Sequence, residues 1–312
     1  MKKIFLNLPL LIWLSATVFS QPTVWKNYYA KYPFYLWADN GNYLQTINAN
    51  QLVQFDKSTG YFQYDELPVS VMANNSGHSG LVVTPHELRS DKNGNLWLLT
   101  SHGINRFDGT NWVTWDSTFF NNGMSFMSSQ SLLTDRDGSL WFTSNTHGLI
   151  HFTGSSYVTF DTLNSNIPSY NFTSIMQQDT AGNIWYADKD SGLVKFNGST
   201  FKHYNHTTIG YPANQDNWYF YGIHINPLTN EVFATTNSSL FYYIYNGTTW
   251  QQLQLDSNIT GYYYGSIDIF FDGIGNTYFS VAKNIHTAVI ISCYVRIELK
   301  LLPGCTIVDI VK

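Results

Sequence analysis

The chain has 312 residues, of which 12% are charged and 17% are aromatic, and its formal net charge is −5. This composition argues against an intrinsically disordered chain and leaves ample apolar material for a folded core. The 16 Lys and Arg residues are scattered rather than clustered, so the sequence predicts no nucleic-acid partner.

The N-terminus has the pattern of a secretory signal peptide. Two lysines follow Met1, residues 4–19 are mostly apolar, and Ser20 is a small residue at the expected cleavage point. The alternative is an uncleaved N-terminal anchor, although the apolar run is short for a spanning helix. We therefore predict a signal peptide over residues 1–20. The mature chain should be exported (periplasmic, cell-surface or secreted) and have no membrane span.

One phrase recurs three times at intervals of 44 residues. The copies begin at Asp91, Asp135 and Asp179 and read DKNGNLW, DRDGSLW and DTAGNIW. Each copy is followed by a glycine, an aromatic residue and a second glycine, as in Gly103, Phe107 and Gly109. A repeat of this length predicts a stacked or circular array of similar units.

The repeat unit reads as four short β-strands. In the copy at residues 172–204 the predicted strands are 172–178, 183–187, 193–196 and 200–204, separated by Gly, Asn, Asp and Ser. Four strands in a unit of this length are the content of one propeller blade. The sequence therefore predicts an all-β fold, a β-propeller of four-stranded antiparallel blades.

The repeated residues have structural tasks in this prediction. The glycines can adopt the positive φ of a tight turn, and the aspartates can accept hydrogen bonds from turn amides. The tryptophans fall early in the second strand, where each can cover the interface between neighbouring blades and bury up to ~200 Å². The predicted structural residues are Gly94, Trp97, Gly138, Trp141, Gly182 and Trp185.

Weaker copies extend the array in both directions. Six blade signals lie at about residues 34–64, 85–115, 129–160, 172–204, 219–253 and 266–298. Residues 23–28 resemble a fourth strand and would complete the last blade, closing the ring. We expect a propeller of six blades over residues 21–298 and a divergent tail over 299–312. A seven-bladed ring with a missing or unrecognisable last blade is the alternative.

The sequence shows no strong pattern for a disulfide or for a metal site. Cys293 and Cys305 either form a disulfide in an oxidising compartment or stay as buried thiols, and their spacing does not suggest zinc. Asp135 and Asp137 resemble the start of a calcium loop, but no Glu stands at its twelfth position. The sequence therefore predicts no cofactor and no metal.

The whole phrase resembles the two-component regulator propeller repeat. The match is strong over residues 91–204 and moderate over 34–64 and 219–253. The resemblance implies a β-propeller of the kind found in periplasmic sensor domains, which are often attached through a membrane helix to a histidine kinase and a DNA-binding output. Stand-alone exported versions also occur in that family.

The candidate site lies where the loops between second and third strands meet those between blades, because propeller ligands usually bind at that end. The alternative is that these side chains are solvated turn residues and packing aromatics. A metal or general-base cluster of the histidines and aspartates is a further hypothesis. The candidate ligand-binding residues are His102, His147, Asp188, Asp190, His78, Tyr211 and Trp218.

These residues favour an exported, non-catalytic ligand-binding or sensory module, since aromatic side chains beside Asn and Ser suit a glycan or a peptide. One alternative is a streptogramin-lyase-like or glycan-active propeller enzyme, yet the repeat places no Glu beside a candidate histidine. Another is a protein-interaction scaffold at the cell surface. In each case the sequence predicts a monomer.

Overall fold

The structure is a computed structural model and describes residues 38–48, 50–68, 70–71, 73–74, 81–82, 85–120, 124–126, 131–173, 175–210, 220–236, 241–254, 268–271, 277–283 and 291–297. The predicted signal peptide, closing strand and tail, together with Cys305, lie outside these residues. Ring closure and the pairing of Cys293 with Cys305 therefore stay predictions.

The first two sheets correspond to the first two predicted blades. The first sheet consists of β1 (Ala38–Asp39), β2 (Tyr43–Asn48), β3 (Gln51–Asp56) and β4 (Phe62–Glu66), and a short hairpin of β5 (Ala73–Asn74) and β6 (Leu81–Val82) follows it. The second consists of β7 (Pro85–Ser90), β8 (Leu96–Thr100), β9 (Gly103–Phe107) and β10 (Trp112–Asp116).

The next three sheets repeat the same plan. The third consists of β11 (Leu132–Thr134), β12 (Leu140–Ser144), β13 (Gly148–Phe152) and β14 (Tyr157–Phe160). The fourth consists of β15 (Gln177–Gln178), β16 (Ile184–Asp188), β17 (Gly192–Phe196) and β18 (Phe201–Tyr204), followed by the helix α1 (His206–Ile209). The fifth consists of β19 (Phe220–Ile225), β20 (Val232–Thr236), β21 (Phe241–Tyr245) and β22 (Trp250–Gln254).

A sixth sheet has three strands within the described residues. It consists of β23 (Asp268–Phe271), β24 (Thr277–Lys283) and β25 (Ile291–Ile297). This sheet lies at the place of the sixth blade signal in the sequence. Because the predicted closing strand is outside the described residues, the number of blades stays a prediction.

The sheet topology is that of a propeller. In each four-stranded sheet, neighbouring strands are consecutive in the chain and antiparallel. First strands of successive sheets adjoin one another, as β1 does with β7 and β15 does with β19. This arrangement confirms the predicted all-β propeller. Within the described residues, no helix has the length and apolar character needed to cross a membrane.

The first strand of the fourth blade is shorter than the sequence predicts. Residues 172–178 were expected to form one strand, but β15 covers only Gln177–Gln178, with an isolated bridge from Phe172 to Asp188. The backbone N–H of Met176 donates to Ser131 Oγ in the preceding blade instead of to a neighbouring strand. Bonds to another blade therefore replace part of the strand ladder.

The repeat tryptophans lie between blades. Trp97, Trp141 and Trp185 are 4%, 7% and 1% exposed. The Trp141 ring meets Phe196 of the next blade at 5.6 Å, and the Trp185 ring meets Tyr245 of the next blade at the same distance. Trp97 joins an apolar cluster that includes Phe152 of the next blade. In the part of the chain that the structure describes, aromatic seams therefore lie between the second and third, the third and fourth, and the fourth and fifth blades.

Candidate functional site

The blades have two different ends. One end, which we call the turn end, carries the turns between first and second strands (residues 91–95, 135–139 and 179–183). It also carries the turns between third and fourth strands (residues 108–111, 153–156 and 197–200). The loop end comprises the second-to-third-strand turns (101–102, 145–147 and 189–191) and the linkers between blades, described at 117–120, 161–173 and 205–210. The predicted ligand-binding residues within the described ranges all lie at the loop end.

The turn end is built from one repeated hydrogen-bond pattern. Asp91 Oδ1 accepts from the backbone N–H of Asn93 and Asn95 at 2.8 and 3.0 Å, and its Oδ2 accepts from the indole N–H of Trp97 at 2.9 Å. Asp179 makes the equivalent bonds, including one from Trp185 at 3.0 Å. The aspartate therefore fixes both the turn and the tryptophan that seals the blade interface.

The third blade varies this pattern because Ser139 stands where the other copies have Asn. The backbone N–H and the hydroxyl of Ser139 both donate to Asp137 Oδ1, at 2.7 and 2.6 Å. Asp135 keeps the indole bond from Trp141 at 2.8 Å and accepts from Gln178 Nε2 of the next blade at 2.9 Å. The tryptophan anchor is thus retained while the turn is held by a second carboxylate.

Equivalent residues also tie neighbouring blades together at the turn end. Lys92 Nζ donates to the carbonyl of Arg136 at 2.8 Å. Arg136 in turn donates through Nη1 and Nη2 to the carbonyls of Thr180 and Asp179, at 2.6 and 2.5 Å. The backbone N–H of Thr180 donates to Asn230 Oδ1 at 2.7 Å, which reaches the fifth blade. These bonds form a ladder across three successive blade interfaces.

A third-strand side chain lies directly opposite each repeat tryptophan. Arg106 lies 5.7 Å from the Trp97 ring and Lys195 lies 5.2 Å from the Trp185 ring. In the third blade His151 stacks on Trp141, with ring centroids 4.2 Å apart and an interplanar angle of 14°. The positions are cross-strand partners in the β-ladder, so two blades use a cation–π contact and one an imidazole stack.

At the loop end, Asp188 is committed to structure. It is 1% exposed, and its carboxylate accepts from Ser169 Oγ at 2.6 Å and from the backbone N–H of Asp190 and Ser191 at 3.0 and 2.9 Å. Asn171 Nδ2 donates to Asp190 Oδ2 at 2.5 Å. The two predicted aspartates are therefore brought together by the linker that enters the fourth blade. Asp190 remains exposed, whereas Asp188 holds this linker in place.

The two described histidines of the candidate site are partly exposed. His147 Nδ1 lies 2.8 Å from Thr146 Oγ1. The hydrogen bond from the Thr118 hydroxyl is the main cause that lowers the pKa of Asp116, and the nearby His102 makes a smaller electrostatic contribution. Within the described residues, no group of three or more His, Cys, Asp or Glu side chains is placed to hold a metal ion. His78, Tyr211 and Trp218 lie outside the described residues.

Sequence reasoning missed the linker residues that shape this end. Ser169 and Asn171 bind the two aspartates, and a Cβ on Gly148 would come 3.0 Å from the Tyr170 ring. No repeat signal marks these positions, because linkers differ from blade to blade. The cross-strand position opposite each tryptophan, by contrast, could have been found from the sequence, because it always follows the glycine that begins the third strand (Gly103, Gly148 or Gly192) at the same distance.

Two further titratable groups, Glu87 and Tyr186, are buried. Burial raises the pKa of Glu87 in β7, and the guanidinium of Arg89, 3.3 Å away, opposes this only in part. Burial, reinforced by the charge of Asp188, raises the pKa of Tyr186 well above its ordinary value. Neither the Tyr186 phenol nor Glu87 is exposed, so both belong to the packed interior.

A shallow pocket lies at the turn end of the first blade, not at the predicted site. Its volume is about 410 Å³, and Lys57 in its wall is held by Asp39 at 2.6 Å. The lining residues are Gly41, Asn42, Tyr43, Asp56, Lys57 and Ser58. These are surface turn residues, and no buried polar group is directed into the pocket among them.

Comparisons with known proteins show the fold. No family model and no curated protein matches the chain. The extracellular domain of a putative hybrid two-component system from B. thetaiotaomicron is 15% identical, with a TM-score of 0.56, over 77% of this chain and 31% of that chain. A GH74 xyloglucanase from Xanthomonas campestris is 14% identical, with a TM-score of 0.57, over 84% of this chain and 44% of that chain.

A third solved structure, YCF48 bound to D1 peptide, is 9% identical, with a TM-score of 0.55, over 83% of this chain and 76% of that chain. The neighbours are β-propellers, so they support the fold assigned from the sheets. The extracellular domain of the two-component system has the propeller fold that the resemblance to two-component regulator propellers implies. The chain spans about a third of that domain's length and less than half of the xyloglucanase.

Proposed function

We propose that the chain is an exported, non-catalytic β-propeller that binds a ligand, a glycan or a peptide, at its loop end and acts as a binding or sensory module. The observation that carries this proposal is the division between the two ends. The turn end repeats one set of internal bonds, whereas the loop end presents polar side chains that are not the same in every blade, on a fixed scaffold.

The side chains at equivalent loop-end positions illustrate this variation. The residue before the third strand is His102 in the second blade, His147 in the third and Ser191 in the fourth. In the fourth blade, Asp188 holds the linker through hydrogen bonds from Ser169 and from two turn amides. Variable polar groups on a rigid support are what selective binding of a polar ligand requires.

The similar proteins support a binding role, but they do not identify the ligand. The extracellular domain of a two-component system, a protein in complex with a peptide and a xyloglucanase share this fold, and fold alone does not set function. The proposal of a glycan or peptide rests on Tyr211 and Trp218, which the sequence predicts at the loop end and which lie outside the described residues.

The test is a thermal-shift screen of residues 21–312 against glycan and peptide libraries, with and without Ca²⁺, Mg²⁺ and Zn²⁺. A ligand that binds only the folded state raises the melting temperature. The loop-end variant is His147→Ala with Asp190→Ala. Its matched control is Thr110→Ala with Thr180→Ala, because both threonines are exposed at the turn end.

We expect a glycan or peptide hit whose shift is lost in the loop-end variant and kept in the control. A hit lost only in the control would place binding at the turn end and contradict the proposal. Release of reducing sugar from a hit glycan would identify a glycan-active enzyme instead. A shift with metal alone that disappears in His102→Ala would favour a metal-dependent enzyme, and no hit in either library would favour a protein-interaction scaffold.

A further inference from the structure

The interface between the first and second blades, which we call the first seam, has an amide where the following seams have an aromatic ring. In each four-stranded blade, an aromatic residue near the end of the third strand pairs with a second-strand residue. We call the next residue of the second strand the seam residue. It is Gln45 in the first blade, and Trp97, Trp141, Trp185 and Phe233 in the four blades that follow.

This amide belongs to a buried chain of hydrogen bonds that leaves one acceptor unpaired. Gln45 is 2% exposed, and its Nε2 donates to Gln54 Oε1 at 2.7 Å. Gln54 Nε2 donates in turn to Asp65 Oδ2 at 3.1 Å. Among the described residues, Gln45 Oε1 is buried and accepts no hydrogen bond. A buried carbonyl oxygen without a donor lowers stability, because it has lost its hydrogen bonds to water.

The turn of the first blade also lacks the side chain that ties later turns to the next blade. Its capping residue is Asn40, which accepts from two backbone N–H groups of the turn. The residue after the cap is Lys92 in the second blade and Arg136 in the third, and both donate to carbonyls of the next blade. In the first blade it is Gly41, whose N–H donates to Asp39 Oδ1 at 2.8 Å. Within the described part of the chain, no hydrogen bond therefore joins this turn to the second blade.

Apolar contacts hold the first seam mainly at its loop end. The first blade contributes Ile47 and Leu52, which lie at that end, and only the small Ala38 near the turn end to the cluster shared with the second blade. The buried linker residues Leu67 and Val71 join the same cluster. The loop-end half of the seam is thus packed with aliphatic side chains from both sides, whereas the turn-end half contains the amide chain.

We propose that the first seam is a hinge, in which the turn-end half opens while the loop-end half stays packed, so that the first blade tilts away from the second. Opening gives Gln45 Oε1 access to water and removes the cost of the unpaired acceptor. The same movement at a tryptophan seam would expose a buried ring, so those seams stay closed. This inference does not depend on which ligand the loop end binds.

Labelling of buried cysteines with a thiol reagent measures how often each seam opens. The background is the mature chain, residues 21–312, with Cys293→Ser and Cys305→Ser. Three variants are compared in it: Leu96→Cys, Leu140→Cys and Ile184→Cys. All three residues begin a second strand, are 2% exposed or less, and lie in the apolar clusters of the first, second and third interfaces between blades. Each thiol reacts only when its own seam opens or the whole chain unfolds.

We expect Leu96→Cys to react at least about tenfold faster than the other two variants, after correction for the global stability of each from urea denaturation. Its rate should change little at low urea concentration, because a tilt of one blade exposes little surface. Equal corrected rates in the three variants, or the slowest rate in Leu96→Cys, would overturn the proposal.

A fourth cysteine variant distinguishes a hinge from the separation of the whole blade. Leu52 lies at the loop end of the first seam and is fully buried. We expect Leu52→Cys to react as slowly as Leu140→Cys. Labelling of Leu52→Cys as fast as that of Leu96→Cys would show that the whole first blade separates, and would contradict the hinge.

Replacing the amide pair gives an independent readout. Gln45→Met with Gln54→Met removes the unpaired acceptor and keeps side chains of similar length. Because the replacement of both partners of a buried hydrogen bond by apolar groups is nearly neutral or stabilising, labelling of Leu96→Cys should slow by about threefold or more in this background. Labelling of Leu140→Cys should not change. An unchanged or faster reaction of Leu96→Cys would contradict the proposal.

Discussion

The turn end and the loop end of the blades are held by different kinds of contacts. At the turn end, the same Asp–Trp bond occurs in three blades, and the Lys92 and Arg136 side chains join the turns of successive blades. At the loop end, the bond from Ser169 to Asp188 joins the linker and the turn of the fourth blade, and the residue before the third strand is not the same in every blade. The comparison teaches that the contacts repeated at the turn end hold neighbouring blades together. The side chains that vary between blades lie at the loop end, where binding specificity can develop.

The largest expected effect is the loss of a seam tryptophan. Trp185→Ala removes a ring that is 1% exposed and packs on Tyr245, so we expect the free energy of unfolding to fall by about 3–5 kcal/mol. Chemical denaturation of residues 21–312 measures this. Trp185→Phe should cost much less, because it keeps the packing and loses only the bond to Asp179. An equal loss in both variants would show that the hydrogen bond, not the packing, holds the seam.

The glycines at the two ends are needed for different reasons, and substitutions at each glycine distinguish these reasons. A Cβ at Gly103, at the loop end, would stand 2.3 Å from the Trp115 carbonyl oxygen, so Gly103→Ala should cost about 1–3 kcal/mol. Gly109, at the turn end, has φ of 97° and nothing within 4 Å of its Cβ position. Asn tolerates that conformation.

Denaturation of Gly103→Asn and Gly109→Asn completes this test. We expect Gly109→Asn to be nearly neutral and Gly103→Asn to be at least as damaging as Gly103→Ala. A larger loss of stability in Gly109→Asn than in Gly103→Asn would mean that the close approach of the backbone is not the reason why a glycine stands at position 103.

A smaller effect is expected from the ladder between blades. Arg136→Met removes two hydrogen bonds to carbonyls of the fourth blade, and because Arg136 is exposed we expect a loss of about 1 kcal/mol or less in the free energy of unfolding. Lys189→Met, an exposed charge removal at the loop end, is the matched control and should change stability by under about 0.5 kcal/mol. If both variants lower the free energy of unfolding equally, the hydrogen bonds between blades contribute nothing specific to stability.

The last prediction concerns the pH dependence of stability rather than a loss of packing. Burial raises the pKa of Glu87 above its unfolded value, so the stability that this group contributes is present below the unfolded pKa and lost as pH rises through the folded pKa. Glu87→Gln should therefore match wild type at about pH 4 and be more stable than wild type near neutral pH. Unfolding curves across that range would refute this if the substitution destabilised the chain at neutral pH.

Fold and site were predictable from sequence to different degrees, and for physical reasons. The propeller and the positions of its blades follow from residues that every blade needs, such as Gly94 with φ of 83° and the buried Trp97. The shortened β15 was not predictable, because bonds from Met176 to another blade compete with strand pairing.

The loop end was harder to predict. The spacing of the repeat placed His102, His147, Asp188 and Asp190 at one end, but the roles of Ser169 and Asn171 depend on how a unique linker folds over the fourth blade. Nothing in the alternation of apolar and polar residues reveals that Asp188 is buried and hydrogen-bonded while Asp190 is exposed. Ligand binding by these residues stays a prediction.

The most direct test of the division between the two ends is amide hydrogen exchange of residues 21–312 with and without the strongest hit of the thermal-shift screen. Binding at the loop end predicts added protection in residues 101–102, 145–147 and 189–191 and in the linker 161–173, with the turns at 91–95, 135–139 and 179–183 unchanged. Added protection confined to those turns would contradict the account.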